Sequence, residues 1–241
     1  MKLRRALVTV ASTALLPLAL TACSGGTDGS SKDASAPSAG SKAPSAGSHL
    51  LNGAKLKTVL LPAGALPKGY KADPEATRDS GNALAAPSPK KPVNLAKACP
   101  KLEASAWIQT SGIEGAAFAQ ADFTNAAQEE FNEEADSFRG NDAELVMKRL
   151  ALVFQSCAHF KDTSNGTTAS VTVKSTIVPK VGDQTLKATL SAPEWEGGTT
   201  LVATRVKNVV ITTFYNVQSK DMGAAGLGLT EKIAAQVQHA K

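Results

Sequence analysis

Few residues of this 241-residue chain could do chemistry: three cysteines, three histidines and one dense run of acids. Glu129, Glu130, Glu133, Glu134 and Asp136 crowd the stretch 129–136, but without the glycine-turned loop that wraps oxygen ligands around Ca²⁺. Their spacing suits a solvated edge strand guarded by charge, although Phe131, Ala135 and Phe138 would also fall on one side of a helix. Cys157 and His159 offer a thiolate and an imidazole two positions apart, with no further ligands at zinc-like spacing. His49 falls in a low-complexity segment, while His159 is expected at a helix end and His239 in a last turn, where a cation suits the dipole. Nucleophile elbows, zinc-protease helices, P-loops and C-x-x-C pairs are missing from the sequence. "GAAGLGLT" (223–230) lacks the strand and lysine of a phosphate loop and is expected as a flexible lead into a final helix. "NGT" at 165 is expected to be a turn. These residues point to a non-catalytic protein with no metal and no cofactor.

The remaining thiol, Cys23, has a different setting. Lys2, Arg4 and Arg5 precede the uncharged run Ala6 to Leu20, the charged and apolar regions of an export signal. That run is too short, and interrupted by Pro17, to cross a hydrocarbon core needing about 20 residues. Leu20-Thr21-Ala22-Cys23 resembles the lipobox of bacterial lipoproteins, which implies diacylglycerol (palmitate-type chains) on the Cys23 sulfur and removal of residues 1–22. Two acyl chains anchor stably where one binds only reversibly, at roughly 0.8 kcal/mol per buried methylene. Losing the signal removes three cations, taking the formal charge from +5 to +2 and leaving no footprint for nucleic acid. The expected location is the extracytoplasmic face of the cell membrane. In an exported chain, Cys99 and Cys157 are an even pair and are expected to form a disulfide. Closing that long loop would stabilise by roughly 4 kcal/mol in the chain-entropy model.

Residues 23–49 are Ser-, Gly-, Ala- and Pro-rich, with "APSAGS" twice, and bury too little to fold. They are expected to be a tether, and residues 50–241 a single domain. Within it, Leu56, Val59, Leu60 and Leu61 suggest a short helix before the turn "LPKGY"; residues 73–92, with five prolines and glycines, suggest a long irregular excursion. "ELVMKRLALVFQSCAH" (144–159) has helical spacing, with Asn141 or Asp142 as cap. Residues 168–178 and 185–192 alternate apolar with Thr, Ser and Lys, as half-buried strands do. "TLVATRVKNVVITTFYNV" suggests two strands joined at Lys207-Asn208, with Asn taking the positive φ. Thr230 would cap a closing helix over 231–240. The fold class is α+β.

On strands 168–178 and 185–192 the polar side carries hydroxyls and lysines but almost no acid, and Arg205 and Thr212 would extend it across the hairpin. Such a surface suits an anionic or polyhydroxylated ligand, with Lys174, Lys187 and Arg205 as candidate binding residues; it equally describes an ordinary wet sheet face.

The order of "LLPAGALPKGY" (60–70), Cys99, "SCAHF" (156–160), "PKVGDQT" (179–185) and "ATRVKNVVITTFY" (203–215) resembles the PknH-like extracellular sensor domain of actinobacterial receptor kinases and their lipid-anchored relatives. The resemblance implies an antiparallel sheet with helices on one face and a cleft on the other, a strand over the acidic segment, and an envelope-derived ligand. It implies as partners the membrane through the lipid, and a glycan, lipid or small molecule in the cleft. An accessory module working through membrane-protein contacts is the alternative. The kinase ectodomain uses two disulfides; here only Cys99 and Cys157 remain, and no kinase domain accompanies them.

Overall fold

Eight segments of alternating side chains between residues 71 and 217 pair into one fully antiparallel sheet of order β1-β2-β3-β8-β7-β6-β5-β4. The computed structural model describes residues 50–163, 166, 168–218 and 224–240. Cys23, the signal, the tether with His49, Asn165 and Gly223 lie outside these residues. The strands are β1 (Lys71–Asp79), β2 (Ala117–Thr124), β3 (Glu130–Ser137), β4 (His159–Asp162), β5 (Ala169–Ile177), β6 (Gln184–Ser191), β7 (Gly198–Val206) and β8 (Val209–Val217). The helices are α1 (Gly53–Lys57), α2 (Leu95–Lys101), α3 (Asp142–Ser156) and α4 (Ala224–His239).

Because side chains alternate along a strand, each face collects its own core. Val146, Met147, Leu150, Val153 and Phe154 of α3 are fully buried over Val173, Leu186, Ala188, Leu190, Leu201, Ala203 and Phe214, at roughly 1.5–3 kcal/mol for each large side chain. The opposite face packs Leu56, Val59, Leu60 and Leu61 from around α1, and Leu229, Ile233, Ala234 and Val237 of α4, against Ala119, Phe123, Phe131, Ala135, Ile211 and Tyr215. The α+β class and the antiparallel sheet are as expected, but the helices divide between the faces. The strands explain this: β8 is buried throughout, so both its sides need cover.

Other differences have local causes. The acidic segment forms β3, which is internal between β2 and β8, so its charges are buried rather than guarding an edge. The irregular excursion begins only after β1, an edge strand that absorbs Pro74 in a bulge between Asp73 and Arg78. Helix α4 starts at Ala224 and runs through the glycine-rich segment; Thr230 is interior, its hydroxyl bonding Gly226 O at 2.9 Å and Thr213 Oγ1 at 2.7 Å. His159 is on β4, beyond the helix end, 3.4 Å from Thr172 Oγ1. In the β7–β8 turn the positive φ falls on Lys207, at 56°, whose amide is held at 2.6 Å by Asp183 Oδ2.

Cys99 of α2 and Cys157, at the C-cap of α3, are joined by a disulfide with Cα atoms 5.3 Å apart. It ties the segment after the excursion to the helix that covers half the sheet. Replacing both cysteines by alanine should lower unfolding free energy by about 2–4 kcal/mol in a denaturant titration without changing the folded-state circular dichroism.

Candidate functional site

Helix α3 covers only part of its face. It lies over β5 to β8, while α1 and α4 pack on the reverse side. The side chains of β1, β2 and β3 that point toward the α3 side are therefore not covered by a helix, and apart from Phe118 those in the rows below are polar. Register sets them in rows. Arg78, Gln120, Glu134 and Thr212 are successive cross-strand neighbours from β1 to β8; Asp73, Asp122 and Asn132 form the next row, and Phe118 and Asp136 the row on the other side. Directly opposed residues have Cβ atoms about 4.5–5.5 Å apart, so each row is a contact line.

The contacts are partial. Arg78 Nε donates to Gln120 Oε1 at 3.2 Å, and its guanidinium carbon stands 5.7 Å from the Phe118 ring centre. Gln120 Nε2 donates to Asp122 Oδ1 at 3.5 Å, and Asn132 also hydrogen-bonds Asp122. Glu134 and Asp136 hydrogen-bond each other. In these three rows, three buried atoms have no partner: Asn132 Oδ1, Asp136 Oδ2 and Thr212 Oγ1, on residues 9%, 7% and 1% exposed. An unpartnered buried polar group costs about 1–3 kcal/mol, so three on one surface call for an explanation. Gly115 lets the loop before β2 close on this row: a Cβ there would lie 3.0 Å from Asp136 Oδ1.

Burial dominates the electrostatics. It raises Asp136 well above the usual carboxylate range, helped by the adjacent Glu134, and pushes Glu134 up to about 7 against the opposing pull of Arg78. It raises Asp122 as well, with Asn132 and Gln120 holding that rise back. The Glu134–Asp136 pair thus retains a proton near neutrality, Asp136 donating and Glu134 accepting. Among the described residues no three His, Cys, Asp or Glu converge as a metal ion would require. What the surface offers is a dense set of hydrogen-bond acceptors.

The residues singled out from sequence lie elsewhere. Lys174 and Lys187 do share a face, through the pairs Lys174–Thr189 and Thr176–Lys187, but it is the α4 side, at the β5–β6 end of the sheet. Arg205 and Thr212 do not extend it. Lys187 opposes Val202, whereas Gln184 opposes Arg205 and Ala203 opposes Thr212, and this parity puts both on the α3 side. Arg205 is a clamp: Nη1 donates to Asp183 Oδ2 at 3.2 Å and to Lys207 O at 3.1 Å, binding the β5–β6 loop to the β7–β8 turn. Sequence reasoning missed the acids of β3 as a site because their buried position depends on which strands flank them. Its one available signal was that Glu134 and Asp136 stand two apart, hence on one side of any strand.

No protein-family model matches the chain, and no curated protein matches it. Among solved structures it is similar to the extracellular domain of PknH from Mycobacterium tuberculosis, with a TM-score of 0.56 and 13% identity, over 80% of this chain and 100% of that one. The likeness is one of fold. No helix among the described residues is long and apolar enough to cross a membrane.

Glu133, on the reverse face, is a separate case. It is 1% exposed, Oε1 accepts the Leu61 N–H at 2.8 Å, and Oε2 has no partner. Burial pushes its carboxyl up to about 9, opposed by the Leu61 amide and reinforced by Asp122. Below about 4.5 it is protonated folded and unfolded; from there to about 9 only the unfolded chain ionises, so rising pH removes stability. Glu133→Gln keeps an acceptor for Leu61 and cannot ionise. Relative to the parent it should gain on the order of 2 kcal/mol at pH 8 and nothing near pH 4, read from chemical denaturation across that range.

Proposed function

We propose that this protein is a non-catalytic, lipid-anchored extracytoplasmic module that recognises a small or cell-envelope ligand on the α3 side of β1, β2, β3 and β8. The observation that carries the reading is the polar half-face that no helix covers, where three buried polar atoms lack partners that a bound molecule would supply. The similarity in fold to a kinase's extracellular domain supports a recognition role, and the lipobox-like sequence supports anchoring through Cys23. The acids on this face argue against the anionic ligand expected from Lys174, Lys187 and Arg205; a glycan or a cationic small molecule fits them.

One observation favours a second reading, an accessory module that works by protein contacts. Strand β4 pairs only with residues 169–172 of β5, so the outer edge of Lys174–Ile177 has no paired strand among the described residues. Ile177 is 75% exposed there. An open strand edge accepts an extended segment of another protein.

Mass spectrometry of the protein from its native membrane should find diacylglycerol on Cys23 and nothing N-terminal to it, and the protein should enter the detergent phase on partition. Cys23→Ala should move it to the aqueous phase with its fold unchanged; an unmodified sulfur in the native protein removes the anchoring claim. Native mass spectrometry of the detergent-solubilised protein with fractionated envelope extract should retain a small molecule. Retention of none, together with crosslinking of Ile177-edge variants to one neighbour, would favour the accessory reading.

A further inference from the structure

The composition of the polar half-face selects among ligands. Resting on the recognition reading, we infer that Glu134, Asp136, Asn132 and Thr212 form the seat for a primary ammonium group of an organic ligand, whether carried by an amino sugar or by a diamine.

The unpartnered atoms set the requirement. Asn132 Oδ1 and Asp136 Oδ2 can only accept, and Thr212 Oγ1 can accept or donate. An ammonium group has three donors and no acceptor, so it satisfies this set without leaving a lone pair of its own unmatched. The surroundings discriminate further. Asp73 and Asp122 stand in the row beside Asn132, so an anion would meet like charge. Arg78 is the facing cation; its Nε is bonded to Gln120, its guanidinium stands by the Phe118 ring, and its charge already pulls on Glu134. A divalent metal ion prefers several converging charged ligands, and among the described residues only the two carboxyls of Glu134 and Asp136 meet here, with no third His, Cys, Asp or Glu beside them. A neutral hydroxyl would fill a hydrogen bond but leave negative charge in a poorly hydrated place.

The free state supports the same conclusion. Burial keeps one proton between Glu134 and Asp136, which holds the empty pair at a single negative charge rather than two. An arriving ammonium neutralises that remaining charge while the shared proton stays between the carboxyls, which a neutral hydroxyl cannot do. Glu134 is half-buried, whereas Thr212 directly opposite and Asn132 two residues along are buried.

The test is an NMR titration of the full-length lipoprotein in detergent micelles with glucosamine, and in parallel with glucose, inorganic phosphate and Ca²⁺. Glucosamine should shift amides of β2, β3 and β8 and bind at least about tenfold more tightly than glucose. Glu134→Gln and Thr212→Val should each weaken it by about tenfold, and Lys187→Ala should leave it unchanged. The two seat variants differ in site and chemistry, so a folding defect in one leaves the other decisive. The inference is overturned if glucose binds as well as glucosamine, if phosphate or Ca²⁺ is what shifts these strands, if both variants bind normally, or if no probe binds. Glucose or phosphate on these same strands would sink the ammonium seat and keep the recognition reading. An envelope extract that leaves every β1–β3 amide unmoved would sink the recognition reading itself.

Discussion

The pairing of β3 with β8 is the constraint on which the rest of the molecule depends. These strands are remote in sequence, with α3 and β4 to β7 between them, yet their register runs unbroken from Glu130 opposite Asn216 to Ser137 opposite Val209. It fuses an N-terminal three-stranded unit to a C-terminal meander and so decides which faces coincide. Phe131 then meets Tyr215, rings 6.0 Å apart and edge-on, and the aromatic cluster continues to Phe123 and Tyr70. The same register buries an acidic strand in the middle of a sheet.

Burying that strand has an energetic consequence which the molecule meets differently on its two faces. On the α4 side Glu133 is alone, so it stays protonated and uses one oxygen to hold the Leu61 amide; it is a pin for the loop after α1. On the α3 side Glu134 and Asp136 share a proton, and neighbouring amide and hydroxyl groups are left incompletely paired. An apolar pair of similar volume would be cheaper at those positions, since a half-satisfied polar network is less favourable than a packed one. Local rules broken without compensation in the free protein tend to mark surfaces shaped for a partner molecule.

How much of this was legible in the sequence follows from where periodicity speaks for itself. Helix α3 and strands β5 and β6 are each covered on one face only, so apolar spacing reports them directly, and the cysteine pair followed from count and export. Strand β3 carries acids at 130, 133, 134 and 136, on both parities, so no amphipathic signal separates its faces. Its neighbour β8 is buried on both sides and gives an apolar run without phase. Thr212 and Arg205 look like companions of Lys187 until the register shows that β7 presents the other parity to it. Strand β4 is four residues long and β1 contains a proline, too little pattern in either case.

The motifs that give the chain its family resemblance mostly build the frame. In "LLPAGALPKGY", Leu60, Leu61 and Leu66 are core, and the Tyr70 hydroxyl bonds Glu129 at 3.4 Å. "PKVGDQT" supplies Asp183 to Arg205 and Lys207, and Thr185 to Thr204 at 2.9 Å; Gly182, with φ of 57°, brings the loop so close to the Arg205 carbonyl that a Cβ would lie 2.5 Å from it. Cys157 closes the disulfide. Only Thr212, in "ATRVKNVVITTFY", reaches the polar half-face, whose other members sit in β1, β2 and β3, outside every motif. The likeness to a solved structure at 13% identity is one of fold, and a fold does not carry its binding residues with it. What this chain recognises, on the reading proposed above, has therefore to be argued from its own residues, Glu134, Asp136, Asn132 and Thr212.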